Sequence, residues 1–246
     1  MLVSHKYKFI FLKSVKTGST STYVFFLPYC LPKEKSEKYD CTKLKNSRNQ
    51  TGIYEEGMVG LIRKDKSKRQ HVTASKVKNI LDNIDSNIWE NYFKFSIVRN
   101  PFDLLVSLYF YKKNLILNPL IEKFIIFENP KNLEEHKENF SKFLNNLHFF
   151  KLENGNPESY SFYKIKNKYI CDYFIKYENL KEGIEYVCEK CNIENYNLEN
   201  LKYFRSNSKP INIKYENMYR DMYDDKTKEL VYDLYKEDFE KFNYKF

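Results

Sequence analysis

A short polar segment near the start of the chain, residues 14–21, has the composition of an anion-binding loop. It reads SVKTGSTS and directly follows an apolar run. Gly18 lets the backbone approach a ligand closely, and Lys16 supplies a positive charge. Where such a loop opens a helix, the first backbone N–H groups and the helix dipole favour an anion, and the hydroxyls add donors. Because Lys16 precedes the glycine, the segment departs from the GxxxxGK[ST] spacing of P-loop NTPases.

A second set of polar residues follows the apolar run 93–98. Arg99 comes directly after that run, and Ser107 lies two helical turns further on. An arginine at the end of a strand can grip a phosphate through two hydrogen bonds, and Ser107 could share that phosphate. Alternatively, Arg99 pairs with Asp103 at the surface and Ser107 is a small packing residue. The sequence alone leaves both interpretations open.

The elements that position these residues can be recognised from their patterns. Apolar runs rich in β-branched and aromatic residues predict strands at 8–13, 93–98 and 173–177. Helical patterns follow at 20–27, 102–113, 180–191 and 225–242. Leu230, Val231, Leu234 and Phe239 should share the apolar side of the last helix. Alternation of strand and helix predicts a three-layer α/β fold with a mainly parallel central sheet flanked by helices.

Composition limits the functional classes. The chain has 246 residues and a formal charge of +9, which favours anionic partners but does not choose among them. No apolar run is long enough for a membrane span, and the first residues do not resemble a secretory signal. The five cysteines are scattered, and Cys188 and Cys191 form a lone CxxC without a second pair. We therefore expect a cytoplasmic protein with reduced thiols and no membrane span.

The segments KTGSTS and FSIVRNPFDLLVSLY together resemble the two cofactor loops of the sulfotransferases that use 3′-phosphoadenosine 5′-phosphosulfate (PAPS), in particular the carbohydrate-type, Golgi-like and bacterial or viral branch. Residues 70–74, 172–180 and 219–246 also resemble that branch. The resemblance implies a P-loop NTPase-like fold and a single domain over 1–246, with a polar insert near 32–70 and a variable loop and helical region near 112–165. It implies that the 5′-phosphosulfate is held by Lys16, Thr17, Gly18, Ser19, Thr20 and Ser21, and the 3′-phosphate by Arg99 and Ser107.

Two positions depart from the family pattern. Leu104 stands where the family usually has arginine or another polar residue, and Lys176 stands where it often has arginine. Lys176 keeps the positive charge. The departures put individual cofactor contacts in doubt and leave the predicted fold unchanged.

Sulfuryl transfer to a hydroxyl needs a base for the acceptor proton and stabilisation of the departing phosphate. Lys16 suits the second role. His71 is the leading candidate for the base, because it lies in the stretch that resembles the family's catalytic-histidine segment and an imidazole titrates near neutral pH. Glu55 and Glu56 are the alternatives. The reaction needs no metal, so we expect metal independence.

We therefore expect a PAPS-dependent sulfotransferase whose acceptor is a hydroxyl, in a carbohydrate or another small molecule. The alternatives are a P-loop kinase-like phosphotransferase and a non-catalytic protein that binds polyanions or nucleic acid. Nucleic acid is not expected as a partner, because the basic residues are scattered and no RNA-binding motif is present.

Overall fold

The computed structural model describes residues 1–37, 52–59, 72–113, 130–145, 158–201 and 218–246. They divide between two compact units, Met1–Val98 with Ser159–Phe204 and Arg99–Glu158 with Arg205–Phe246. The strands are β1 (Leu2–Ser4), β2 (Phe9–Leu12), β3 (Gly52–Tyr54), β4 (Gly57–Val59), β5 (Phe93–Val98), β6 (Lys164–Ile165), β7 (Lys168–Tyr169) and β8 (Tyr173–Lys176). The helices are α1 (Ser19–Phe26), α2 (Lys33–Glu37), α3 (Ala74–Asn91), α4 (Pro101–Lys113), α5 (Leu133–Asn145), α6 (Leu180–Lys190), α7 (Asp225–Leu234) and α8 (Lys236–Phe242).

The first unit contains a six-stranded sheet in the order β3-β4-β1-β2-β5-β8. The three predicted strands are β2, β5 and β8, and they pair in parallel at its centre and one edge. The other three pairings are antiparallel, so the prediction of a mainly parallel sheet is wrong and the sheet is mixed. The reason is the short connections from β1 to β2 and from β3 to β4, because such turns can join only antiparallel neighbours.

Helices cover both faces of this sheet, which confirms the predicted layers within the first unit. Side chains alternate between the faces along each strand. One face buries aromatic and aliphatic residues against α1 and α6, among them Phe9, Phe11, Phe95, Ile97 and Ile175. The opposite face buries residues against α3, among them Val3, Ile10, Leu12 and Met58.

Polar contacts fix the junctions around β5. The ammonium of Lys94 donates to the carbonyl oxygens of Trp89 and Tyr92 at 3.1 and 2.9 Å, which satisfies acceptors at the end of α3. In the second unit, the side chain of Asn100 accepts a 3.1 Å hydrogen bond from the N–H of Phe102 and caps the start of α4. Pro101 occupies the first helical position, where its missing N–H is not needed.

The core of the second unit is aromatic. Phe102 of α4 packs against Tyr223 and Phe239 with ring centroids 5.1 and 5.0 Å apart, and the Tyr223 hydroxyl donates to the Phe102 carbonyl at 2.9 Å. His136 of α5 is buried and its Nδ1 lies 3.1 Å from the Tyr109 hydroxyl. His136 is therefore a packing residue of this core.

Two further expectations need correction. The predicted helix 225–242 is two helices, because the backbone at Tyr235 leaves the helical conformation between α7 and α8. Val231 and Phe239 are buried as predicted, whereas Leu230 is 38% exposed. Within the predicted polar insert near 32–70, residues 52–59 form β3 and β4 and extend the central sheet. The rest of that insert from residue 38 onward, and much of the region 112–165, lies outside the described residues. The single domain stays a prediction.

Within the described ranges, no helix combines the length and hydrophobicity needed to cross a membrane.

Candidate active site

The loop between β2 and α1 has an unusual backbone. Lys16 adopts a φ of 60° and Gly18 a φ of 73°, both in the left-handed region. Glycine adopts this conformation without strain, whereas a residue with a Cβ is disfavoured there. The loop therefore has two left-handed residues between the carboxyl end of β2 and the start of α1.

Hydroxyl groups of the loop fix its conformation through hydrogen bonds. Ser14 Oγ donates to the carbonyl of Ile97 in β5 at 2.6 Å and lies 2.6 Å from Thr17 Oγ1. Because the single Ser14 proton is used on Ile97, the Thr17 hydroxyl is the donor in the second bond. Ser19 Oγ donates to the Ser14 carbonyl. All three serine and threonine side chains are buried, so they shape the loop and fasten it to the sheet.

The first backbone N–H groups of α1 precede its intrahelical hydrogen bonds. The N–H groups of Ser21 and Thr22 bond to the Gly18 carbonyl at 3.0 and 3.3 Å, so intrahelical bonding begins there. The N–H groups of Ser19 and Thr20 lie ahead of it, among those that have no partner within a helix. Gly18 supplies no side-chain cap, and the first turn contains no acidic residue. The geometry suits an anion at the helix N-terminus.

Lys16 and Thr20 are half-buried, whereas Thr17, Ser19 and Ser21 are buried. Of the predicted phosphosulfate ligands, Lys16 and Thr20 are therefore the side chains most accessible to a ligand. Thr17 and Ser19 would contribute through their backbone, since their hydroxyls bond within the loop.

Tyr177 packs against the loop, a contact that the sequence did not single out. It follows β8 directly, and a Cβ added to Gly18 would lie 2.9 Å from its ring. Tyr177 lies in a segment that resembles the family, but only the fold brings it against Gly18. Lys13, directly after β2, is 2% exposed, and its ammonium lies 4.8 Å from the centre of the Tyr23 ring.

Arg99 and Ser107 belong to the second unit. Arg99 donates through Nη2 and Nε to Asp103 Oδ2 at 2.6 and 2.7 Å. The alternative pairing of Arg99 with Asp103 is therefore present, but the pair is partly buried rather than at the surface, with side-chain exposures of 10% and 13%. A guanidinium has five N–H groups, so this pair does not by itself prevent phosphate binding. Ser107 is buried on α4, one turn beyond Asp103.

Asp103 also influences a neighbouring tyrosine. Burial raises the pKa of Tyr223 well above its usual value, and the negative charges of Tyr235 and Asp103 raise it further. The Tyr223 hydroxyl therefore remains protonated over the working pH range and keeps its bond to the Phe102 carbonyl.

The structure describes both residues that depart from the family pattern, Leu104 and Lys176. Leu104 is buried in the second unit, so it contributes to packing. Lys176 ends β8 in the first unit, is half-buried, and pairs in register with Val98.

The predicted base, His71, lies outside the described residues. Its glutamate alternatives form the turn between β3 and β4, and the Glu56 carbonyl accepts from the N–H of His5 at 2.8 Å. Ser4 pairs with both Phe9 and Gly57, which puts this turn beside the start of β2. The Lys16 loop follows the end of β2. Glu55 and Glu56 therefore lie at the opposite end of the strands from this loop. Their position disfavours them as the base.

The thiols of the CxxC segment are buried in and beside α6. Burial raises the pKa of Cys188 to about 12 and that of Cys191 to about 11. Metal binding and redox chemistry need the thiolate, which is scarce at these pKa values. Among the described residues, no group of three or more histidine, cysteine, aspartate or glutamate side chains is arranged to hold a metal ion.

Comparison with known proteins identifies the family. The model of the sulfotransferase family matches residues 1–245. No curated protein and no solved structure gives a significant match. A match over almost the whole length, to a family that carries a sulfuryl group between substrates, agrees with the anion loop after β2. The chain belongs to the sulfotransferase family.

Proposed function

We propose that the protein transfers a sulfuryl group from PAPS to a hydroxyl of a carbohydrate acceptor. Family membership supports sulfuryl transfer in general. The observation that carries the donor assignment is the loop of residues 14–18, whose left-handed backbone at Lys16 and Gly18 leads into an α1 N-terminus without an acidic residue. The loop fits a phosphosulfate because it offers backbone donors, a lysine and close approach at Gly18.

The donor would be held at two places. Lys16, Thr20 and the backbone from Thr17 to Ser21 would bind the 5′-phosphosulfate, and Arg99 with Ser107 would bind the 3′-phosphate. Arginine suits this second role because its planar fork matches phosphate oxygens. The bound donor supplies the activated sulfuryl group.

The chain's own groups would support an in-line transfer. The Lys16 ammonium would stabilise negative charge on the departing phosphate, as a fixed cation at the point where charge develops. His71 would accept the proton of the acceptor hydroxyl. No metal is required in this scheme. The basic net charge of +9 favours acceptors that are themselves acidic, such as an anionic saccharide.

The experiment measures release of adenosine 3′,5′-bisphosphate from PAPS with a panel of neutral and acidic saccharides, for the wild type and for Lys16→Ala and His71→Ala. We expect each variant to lose about 100-fold or more in turnover, the range of general acid–base and electrostatic catalysis. His71→Ala should still bind the bisphosphate, since His71 would contact only the acceptor.

His5→Ala is the matched control. His5 lies at the end of the strands opposite the Lys16 loop, and its Nδ1 is 3.0 Å from the Tyr92 hydroxyl. Replacing His5 should therefore leave turnover unchanged. Full activity of His71→Ala would overturn the assignment of the base. Full activity of Lys16→Ala would overturn the role of the loop.

A further inference from the structure

The partly buried ion pair of Arg99 and Asp103 is asymmetric. Both hydrogen bonds that Arg99 donates to Asp103 go to Oδ2, whereas the Oδ1 atom is buried and accepts no hydrogen bond from the residues that the structure describes. Buried acceptors without a donor are rare in folded proteins, and a water molecule or ligand commonly supplies the missing donor. Asp103 Oδ1 is therefore an acceptor that a donor from water or from a bound ligand would satisfy.

The position of Asp103 narrows the choice of donor. Asp103 lies four residues before Ser107 within α4, a spacing that puts these two on one side of the helix, and it pairs with Arg99 just before the helix begins. The inference rests on the proposed function, in which Arg99 and Ser107 bind the 3′-phosphate. An oxygen between these two residues would then lie beside the sugar that carries the phosphate.

The phosphate itself cannot be the donor at alkaline pH. The second pKa of a phosphate monoester is about 6, so at pH 8 the group is a dianion that only accepts hydrogen bonds. The ribose carbon next to the phosphorylated one carries the 2′-hydroxyl, which is a donor. Arg99 offsets the charge of Asp103 and fixes its carboxylate, which reduces repulsion from the phosphate.

We propose that Asp103 Oδ1 accepts a hydrogen bond from the 2′-hydroxyl of the bound nucleotide and thereby selects ribonucleotides over 2′-deoxyribonucleotides. A site with a buried polar group rejects an analogue that lacks the matching hydroxyl, because the group is then left unpaired. Asp103 is thus a specificity-determining residue of the donor site.

Isothermal titration calorimetry at pH 8 tests this with adenosine 3′,5′-bisphosphate and its 2′-deoxy analogue. The wild type should bind the ribonucleotide about 10- to 100-fold more tightly, the range for a hydrogen bond to a charged group. Asp103→Ala should reduce this ratio to within about 2-fold, whatever its effect on either affinity alone. Asp103→Asn keeps the shape and an uncharged acceptor, so it should give an intermediate ratio and should fold even if the alanine variant does not.

Asp225→Ala is the matched control, since Asp225 is a fully exposed carboxylate in the same unit, and it should keep the wild-type ratio. Equal binding of both nucleotides by the wild type would overturn the inference and leave the proposed function standing. An unchanged ratio in Asp103→Ala, or in Asp103→Asn if the alanine variant does not fold, would overturn it as well. Failure of the wild type to prefer either bisphosphate over AMP would overturn the proposed function and the inference together.

Discussion

Gly18 combines two requirements that no other residue meets. Its φ of 73° is left-handed, and its Cα faces the Tyr177 ring so closely that an added Cβ would lie 2.9 Å from it. The sequence predicted a glycine needed for close approach to a ligand. It did not predict that part of the requirement comes from Tyr177, because that contact joins residues far apart in the chain.

Gly18→Ala should therefore destabilise the protein and weaken bisphosphate binding. The backbone strain alone costs about 1–2 kcal/mol, and the overlap with Tyr177 adds to it. Thermal unfolding and calorimetry measure the two effects. Adding Tyr177→Ala should relieve the overlap and leave the strain, so Gly18→Ala should cost less in that background. A wild-type melting temperature in Gly18→Ala would contradict the account.

Arg99 and Asp103 depend on each other for stability. Removing one partner of a fully buried ion pair leaves an uncompensated charge, at a cost of about 3–5 kcal/mol. This pair is partly buried, so we expect a smaller cost of the same sign. Arg99→Ala should therefore lower the free energy of unfolding more than Arg99→Ala with Asp103→Ala does. Urea denaturation of the two single variants and the double variant measures the coupling. Additive effects would contradict the pairing seen between the side chains.

The sequence indicated the elements that carry the two loops but missed the shortest strands. The runs that became β2, β5 and β8 are rich in aromatic and β-branched residues, which gives a clear strand pattern. In contrast, β1, β3 and β4 have three residues each, too few to display alternation. Their place in the sheet comes from pairing with neighbours, which a local pattern does not contain.

The approach of α6 to β8 depends on Gly183. A Cβ at this position would overlap the Ile175 side chain, including its Cγ2. Alanine in a helix is normally favoured over glycine by about 1 kcal/mol, yet here we expect Gly183→Ala to lower the melting temperature through overpacking. Combining it with Ile175→Ala should cost less than the sum of the two single changes. A stabilised Gly183→Ala variant would show that the helix can move away without loss.

The buried thiols in and beside α6 should make the free energy of unfolding fall at alkaline pH. Burial raises the pKa of Cys188 from 9.0 to about 12 and that of Cys191 to about 11, so the unfolded chain loses these protons first. Their contribution is complete below the unfolded thiol pKa and is lost as pH rises from about 9 toward 11 and 12. The free energy of unfolding, measured in urea from pH 7 to 10.5, should fall along this range. The free energy of unfolding of Cys188→Ala should fall less steeply with pH. A slope identical to that of the wild type would contradict the burial of this thiol.

Across the whole chain, the family match over residues 1–245 and the layered first unit agree with what the two loop motifs predicted. The motifs could be recognised because each lies directly after a strand and opens a helix, so local sequence carries both its chemistry and its position. The sequence offered the pairing of Arg99 with Asp103, but the partial burial of that pair depends on packing. The placement of Glu55 and Glu56 at the far end of the strands depends on strand pairing. His71 stays a prediction.

The most direct test of the central claim is calorimetric binding of adenosine 3′,5′-bisphosphate, compared with AMP, ADP and ATP, to the wild type and to Arg99→Lys. The lysine variant keeps a positive charge beside Asp103 but loses the planar fork. We predict selective binding of the bisphosphate by the wild type and a loss of that selectivity of about 10-fold or more in the variant. Equal or tighter binding of ATP by the wild type would contradict a PAPS site and favour a kinase-like phosphotransferase.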